Sequence, residues 1–576
     1  MEQGNSELKI LFGIVCFVFA AAVLLPVVIL FSRSFMEAGG GLGLANYAAI
    51  LHDAKFMTAL RHSFTVSGLD ALITVILAFF LAYGFYFTKL PGKFKKTAQL
   101  FIMLPMFLPT LTYGFAVIYS LGKQGLITRL LGHTLFPIYG FWGLLIAYIV
   151  YTLPPAFILI YTAFAYVDKH FIVVSELMGD HWFRSFYTTA VRPMIGTITC
   201  AFILSFFLSF TDFGIPASIG GKYDVVATQL YLVMMGSVPD FRSGSAIAMI
   251  MLIPSIAALA MMRFAERFNF HYSKISTFEP LENKTRDGIF ACLYIGVMLL
   301  IVSLFAIMFI VPFIKSWPYQ IEFTLDTLRH VLGDQSVRTV YMNSVMVAVA
   351  TAVCAAVLAY MGALVNTRSH LPAICKILMD ACAAVTNTIP GMVLGIAYLF
   401  TFRGTPIQNT FFIIIMLNSV RGFTTPYMMI QSSLSKINPS WETTGALMGD
   451  SWRKTICRIV IPNTLPTIFQ MLGYIFVQAM VTISAIIFVT GAHTMVMTTK
   501  ITQAQYFEKY DEVFVLSLLI FLTNCVGKNL LDWLSKKETL FRLKMKWHAL
   551  RGRRGVDIGS VVGSGQGSAM PTEYKS

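Results

Sequence analysis

The sequence predicts an all-α integral membrane protein of about 12 transmembrane helices, arranged as two tandem parallel six-helix repeats. Three observations predict it. Of 576 residues, 57% are hydrophobic and 12% charged, and the mean hydropathy of +0.71 lies far above that of a water-soluble domain. Twelve apolar stretches each reach the length of about 20 residues that a helix needs to cross a hydrocarbon core about 30 Å thick. Motifs from the first half also return in the second at a nearly constant offset.

The stretches lie near 10–31, 63–88, 98–121, 141–164, 194–215 and 246–264, then near 288–313, 340–365, 377–402, 410–430, 465–490 and 513–534. The first is long for the apolar part of a secretion signal. Arg33 follows it where a cleavage site of small residues would stand, so it is read as a retained span. The expected division is a first repeat at 1–270, a cytoplasmic linker at 271–287, a second repeat at 288–535 and a tail at 536–576.

Lys and Arg favour the connections that are inner if the N-terminus is cytoplasmic, although the outer set includes the longest loops. The C-terminus then lies inside too, where KKETLFRLKMKWHALRGRR (536–554) holds eight basic residues. That tail carries much of the +15 net charge and is assigned to the anionic inner leaflet, not to nucleic acid. The Gly/Ser-rich residues 555–576 are expected to be disordered. Eight scattered Cys, with no pair at two-residue spacing, suggest neither a disulfide framework nor a metal site.

The repeat is explicit. An offset of 281 aligns LANYAAIL (44–51) with LDTLRHVL (325–332), His62-Ser63 with Asn343-Ser344, and Pro109 with Pro390. It becomes 270 or 271 at Pro155 and Pro426 and at Gly179 and Gly449, then 269 at Pro193 and Pro462. Six spans per half keep both halves in one orientation, so they are expected to pack about an axis along the membrane normal and enclose a central path.

The hexapeptides LMGDHW (177–182) and LMGDSW (447–452) occupy the connection between the fourth and fifth spans of each half. Each reads as a short helix, a glycine break, and a second helix that returns to the bilayer and is closed by proline. Gly179 and Gly449 permit the tight turn. Asp180, Trp182 and Arg184, like Asp450, Trp452 and Arg453, give the projecting helix an apolar and a charged side suited to a groove in a soluble partner. A single copy would be read first as a helix lying on the membrane surface; two copies at matching places favour docking.

On these residues the chain resembles the permeases of binding-protein-dependent ABC importers. Their cytoplasmic loop carries Glu-Ala-Ala, a glycine four residues later, and Leu-Pro beyond. Gly179 with Arg192-Pro193 and Gly449 with Ile461-Pro462 match it, whereas Val173-Val174-Ser175 and Thr443-Thr444-Gly445 replace Glu-Ala-Ala. Glu176 and Glu442 stand out of register, which puts in doubt the ion pair that glutamate would make. The resemblance spans nearly the whole chain. It implies two fused permease copies in a bacterial cytoplasmic membrane, coupling loops seated on separate ATPase subunits (a dimer), an extracytoplasmic solute-binding protein, and a multi-pass chain with both termini cytoplasmic. No phosphate-binding loop of the GxxxxGK[ST] type occurs, so the chain is expected to bind no cofactor and catalyse nothing, with ATP held by partner subunits.

Fused permeases of this kind are similar to those for 2-aminoethylphosphonate, ferric iron and thiamine. SLGKQGLITRLLG (120–132), IYGFWGLLIAYIVYTLPPAFILI after it, and TDFGIPASIGGKYDVVATQLY (211–231) favour the first, while the Asp-Phe-Gly core is shared with the ferric branch. Polar groups at membrane depth are candidates for the path. Asp212, beside Thr211 and ahead of Gly214 and Pro216, could meet an ammonium or a ferric ion, or cap a broken helix. Arg421 needs a carboxylate, water or an anionic ligand, since an unpaired cation at mid-bilayer costs about 3 kcal/mol. Thr482 and Ser484 are the second-half counterparts of Asp212. The proline segments 103–114 and 386–395 correspond between halves and can bend helices for gating. Two rivals are an ion-coupled transporter of twelve spans, which has no need of paired elbows, and a membrane enzyme, which would need a cluster of His, Asp, Glu or Cys at one depth.

Overall fold

A computed structural model describes residues 2–37, 39–167, 174–175, 178–265, 267, 282–369 and 371–536. Glu176, most of the linker expected at 271–287 and the basic and Gly/Ser-rich tail beyond Lys536 lie outside the described residues. The described chain is almost wholly helical, with one small antiparallel hairpin pairing Ile314–Ser316 with Gln320–Phe323.

The helices follow the twelve apolar stretches. Among the described residues nine are unbroken and long enough to cross a membrane: Ser6–Ser34, Ala54–Phe87, Phe141–Phe164, Phe183–Thr211, Phe241–Ala265, Lys284–Phe313, Gln335–Arg368, Trp452–Val481 and Tyr510–Ser535. The other three differ from simple spans. The third and ninth are bent pairs, Gly92–Phe107 with Thr110–Leu131 at 113° and Ala373–Thr388 with Gly391–Phe402 at 101°. Both breaks fall at the aligned prolines. Leu108 and Ile389 adopt extended backbone, as a residue before proline prefers, and Pro109 and Pro390 then N-cap the following helices. The tenth divides into Phe411–Arg421 and Thr424–Ser435 around Gly422 and Phe423.

In each half the second, fourth and fifth spans pack closely on one another. The first span of each half packs mainly on the other half, touching the last span of its own. Ser6–Ser34 packs on the eighth and ninth spans, with Phe19 edge-on to Phe423 at 4.7 Å. Lys284–Phe313, N-capped by Asn283, packs on the second and third spans, where Tyr294 donates to the Leu81 carbonyl at 2.6 Å and Ser120 to that of Ser303 at 2.8 Å. The two covalent repeats are thus interleaved. Lipid is as apolar as Leu, so hydrogen bonds and close packing, not transfer from water, hold this interface.

The pseudo-symmetry extends to single hydrogen bonds. After the fifth and eleventh spans end, short helices Val226–Met235 and Met497–Tyr506 fold back into the bundle. Their first N–H groups have no partner within the helix. Ser63 Oγ accepts that of Val226 at 2.8 Å, and Ser344 Oγ that of Met497 at 2.6 Å. Beside them His62 meets the Asp224 carbonyl at 3.0 Å and Asn343 that of Met495 at 3.1 Å.

Candidate functional site

Two places concentrate polar residues that the bilayer would not select: the paired elbows and the middle of the bundle.

In the second elbow Ser440–Leu447 forms a helix, Gly449 turns at φ +77°, and a new helix starts at Trp452. Gly179 turns at φ +73° in the first elbow and Trp182 opens its second helix. The Asp450 N–H reaches back five residues to the Gly445 carbonyl at 3.0 Å, and the Asp180 N–H to that of Ser175 at 3.1 Å. This is the helix-ending turn that a left-handed glycine makes possible. The residue four before the turning glycine must be small: a Cβ on Gly445 would lie 2.7 Å from Thr455 Oγ1, and the first half places Ser175 there, buried. At the tips Met178, Leu447 and Met448 are about four-fifths exposed.

Charges fix each elbow. Asp180 accepts from Ser175 Oγ at 2.8 Å and lies 3.4 Å from Arg184, while Asp450 pairs with Lys454. Arg453 reaches Glu7 at 2.8 Å, tying the second elbow to the N-terminal span. Glu442, out of register in sequence, makes an ion pair after all. It meets Arg368 at 3.3 Å, and that guanidinium also donates to the Leu434 and Ile437 carbonyls. The expectation that proline closes the returning helix is corrected: Phe183–Thr211 and Trp452–Val481 run through Pro193 and Pro462. A π-turn directly ahead of each, Tyr187–Val191 and Ile456–Val460, accommodates the ring and the missing N–H by widening the helix.

In the middle of the bundle the fifth span ends at Thr211 and the eleventh at Val481, leaving Asp212 and Thr482 as C-caps. Asp212 is buried, and its carboxylate accepts the Ile215 N–H at 2.8 Å, so it caps the short helix Gly214–Ile219. Thr211 Oγ1 is spent on the Phe207 carbonyl. Arg421 ends the helix Phe411–Arg421 and donates to Thr482 Oγ1 at 3.2 Å. Among the described residues no carboxylate lies within 4.0 Å of it; its electrostatic neighbours are Tyr151, Tyr474 and, across the repeat boundary, Asp212. Its guanidinium lies over Gly391, whose Cβ would come within 3.2 Å of Arg421 Cζ and 2.6 Å of Ser484 Oγ. The first half inverts this contact: there Thr110 supplies the side chain and Gly214 the gap, at 2.1 Å for a Cβ.

One polar residue escaped the sequence reading. Asp70, fully buried in the second span, accepts from Thr152 at 3.0 Å and Thr74 at 3.1 Å. The signal was present, since a lone carboxylate inside GLDALITVILAFF is out of place in lipid. Toward the elbow end, a cavity of about 560 Å3 is lined by Met429, Gln470, Tyr474, Lys528 and Asp532. The described residues hold no group of three or more His, Cys, Asp or Glu placed to share a metal ion.

The family described as "Binding-protein-dependent transport system inner membrane component" matches residues 74–312 and 355–539. A putative ferric transport system permease protein of Haemophilus influenzae is 25% identical over 492 residues, 82% of this chain and 76% of that one. A ferric transport system permease protein of Actinobacillus pleuropneumoniae is 24% identical over 496 residues, with 83% and 71% covered. A thiamine transport system permease protein of Escherichia coli is 26% identical over 232 residues, 39% of this chain and 42% of that one.

Proposed function

The chain belongs to the family of binding-protein-dependent transport system inner membrane components and is a permease subunit of an ABC importer, and from that premise we propose that its two elbows couple ATP hydrolysis on partner subunits to alternating access of a central path. The repeated left-handed glycine turn carries this reading, because it projects an apolar tip from equivalent places in both halves. Two ATPase subunits, each seated on one elbow, would rock the halves as they close. ATP is bound by those partners, and this chain contributes the path and the levers. Both termini and both elbows lie in the cytoplasm, following the Lys and Arg distribution; a solute-binding protein delivers from the opposite side.

The solute is proposed to be 2-aminoethylphosphonate. Support comes from opposite charges held by different halves, Asp212 from the first and Arg421 from the second, which would face the two ends of a small zwitterion. Ferric iron is the second reading, favoured by the ferric permeases that match over more than four-fifths of the chain. Uptake into proteoliposomes carrying the permease, its ATPase and its binding protein tests both parts. ATP-dependent accumulation of labelled 2-aminoethylphosphonate is expected. Accumulation of ferric iron alone would replace the substrate, and uptake that collapses with an uncoupler but not with ATP depletion would overturn the coupling.

A further inference from the structure

The second half contains a small polar recess. It lies between the eighth, tenth and eleventh spans and is bounded by Thr351, Asn418, Arg421, Gln478 and Thr482, with room of about 10 Å3, the space of one oxygen atom or water. Three side-chain atoms buried at its walls have no hydrogen-bond partner among the described residues: Asn418 Nδ2, Thr351 Oγ1 and Gln478 Oε1. Asn418 and Thr351 are 6% and 1% exposed. Orphaned polar atoms in a low-dielectric interior cost about 1–3 kcal/mol each, so three around one void beside a guanidinium need an explanation. At the positions related by the repeat the first half carries Asp70, Ala147, Val150, Leu208 and Asp212. The amide, the guanidinium and the second amide are therefore particular to one half and not a requirement of the fold.

We infer that this recess binds one oxygen of a singly protonated oxyanion, the chemistry of a phosphonate or phosphate monoanion, as the anionic end of the transported solute. The inference rests on the permease reading above and names the class of solute that the second half selects. Asn418 Nδ2 and Arg421 donate, matching an anionic oxygen. Gln478 Oε1 only accepts, so it requires a ligand that carries a proton. Thr351 can do either. A fully deprotonated oxyanion such as a sulfonate leaves Gln478 facing a lone pair, and a bare cation meets Arg421. The group enters from the side of Arg421 and Gln478, the partly exposed members of the set.

Isothermal titration of the purified full-length chain in lipid nanodiscs tests this with two probes of the same shape, methylphosphonate and methanesulfonate. Methylphosphonate is expected to bind at least tenfold more tightly. Asn418→Leu is expected to weaken it by tenfold or more, the scale of a lost hydrogen bond to a charged group, and Gln478→Met to abolish the preference between the probes. Equal binding of both by the unaltered chain, no binding of either, or a preference that survives Gln478→Met overturns the inference. The comparison on the unaltered chain stands even if a variant fails to fold. Failure of the recess is separable from failure of the permease reading. ATP-driven uptake without probe discrimination removes only the recess; discrimination without ATP-driven uptake removes only the coupling.

Discussion

Arg368 Nε lies 3.3 Å from Glu442 Oε1, and this pair ties the second elbow to the end of the eighth span. Arg368 is 5% exposed and Glu442 19%, so removing one partner strands a largely desolvated charge. Arg368→Met is expected to cost on the order of 2 kcal/mol locally. It should speed amide exchange across residues 438–450 and uncouple ATP hydrolysis from uptake. Exchanging the two charges should restore only part of the coupling, because the Leu434 and Ile437 carbonyls lose their donor. Unchanged exchange in Arg368→Met would show that the pair does not hold the elbow.

Gly449→Pro is expected to leave membrane insertion intact and abolish solute-stimulated transport. Proline cannot adopt φ +77°. Gly449→Ala meets no atom within 4 Å and suffers only backbone strain of about 1 kcal/mol, so it should retain most activity. ATPase stimulation and uptake measured in the same proteoliposomes check both.

Arg453 separates two roles. Its pair with Glu7 is exposed and worth at most about 1 kcal/mol. If Arg453→Glu abolishes transport by breaking that tether, Glu7→Arg in the same chain restores it. The coupling role predicts no rescue, together with weaker co-purification of the ATPase.

At the bundle centre, Gly391→Thr is expected to displace Arg421 and Ser484 and cut uptake at least tenfold, since its Cβ would fall 2.6 Å from Ser484 Oγ. Adding Ser484→Gly rebuilds the arrangement that Thr110 and Gly214 make in the first half, and should recover uptake toward the parent level. A double variant no better than the single would sever the equivalence of the two contacts.

Asp70→Asn keeps an acceptor for Thr74 and Thr152, whereas Asp70→Leu removes it. The leucine variant is expected to lose about 1–3 kcal/mol more stability than the asparagine one. Thermal aggregation of detergent-solubilised protein compares them directly.

The order of the apolar stretches, the duplication and the elbow turns were legible because each rests on local chemistry. Apolar length sets a crossing, a glycine permits one backbone region, and Pro109 and Pro390 forbid extension of the helix before them. Glu442 shows the limit. Its distance from the expected register argued against an ion pair, yet Arg368, 74 positions earlier in the chain, is brought to it by the packing of the eighth span.

By itself the sequence determined that this chain crosses a membrane repeatedly, in two equivalent halves, and turns sharply at Gly179 and Gly449. Only the tertiary structure decided that the first span of each half packs mainly on the other half, that Thr482 receives Arg421, that Thr74 and Thr152 satisfy Asp70, and that the recess at Asn418 and Gln478 exists as a polar site. The physical reason is range. Hydropathy and backbone preference act over a few residues, whereas the partners of a buried polar atom come from helices distant in sequence, and in lipid only those partners can satisfy it.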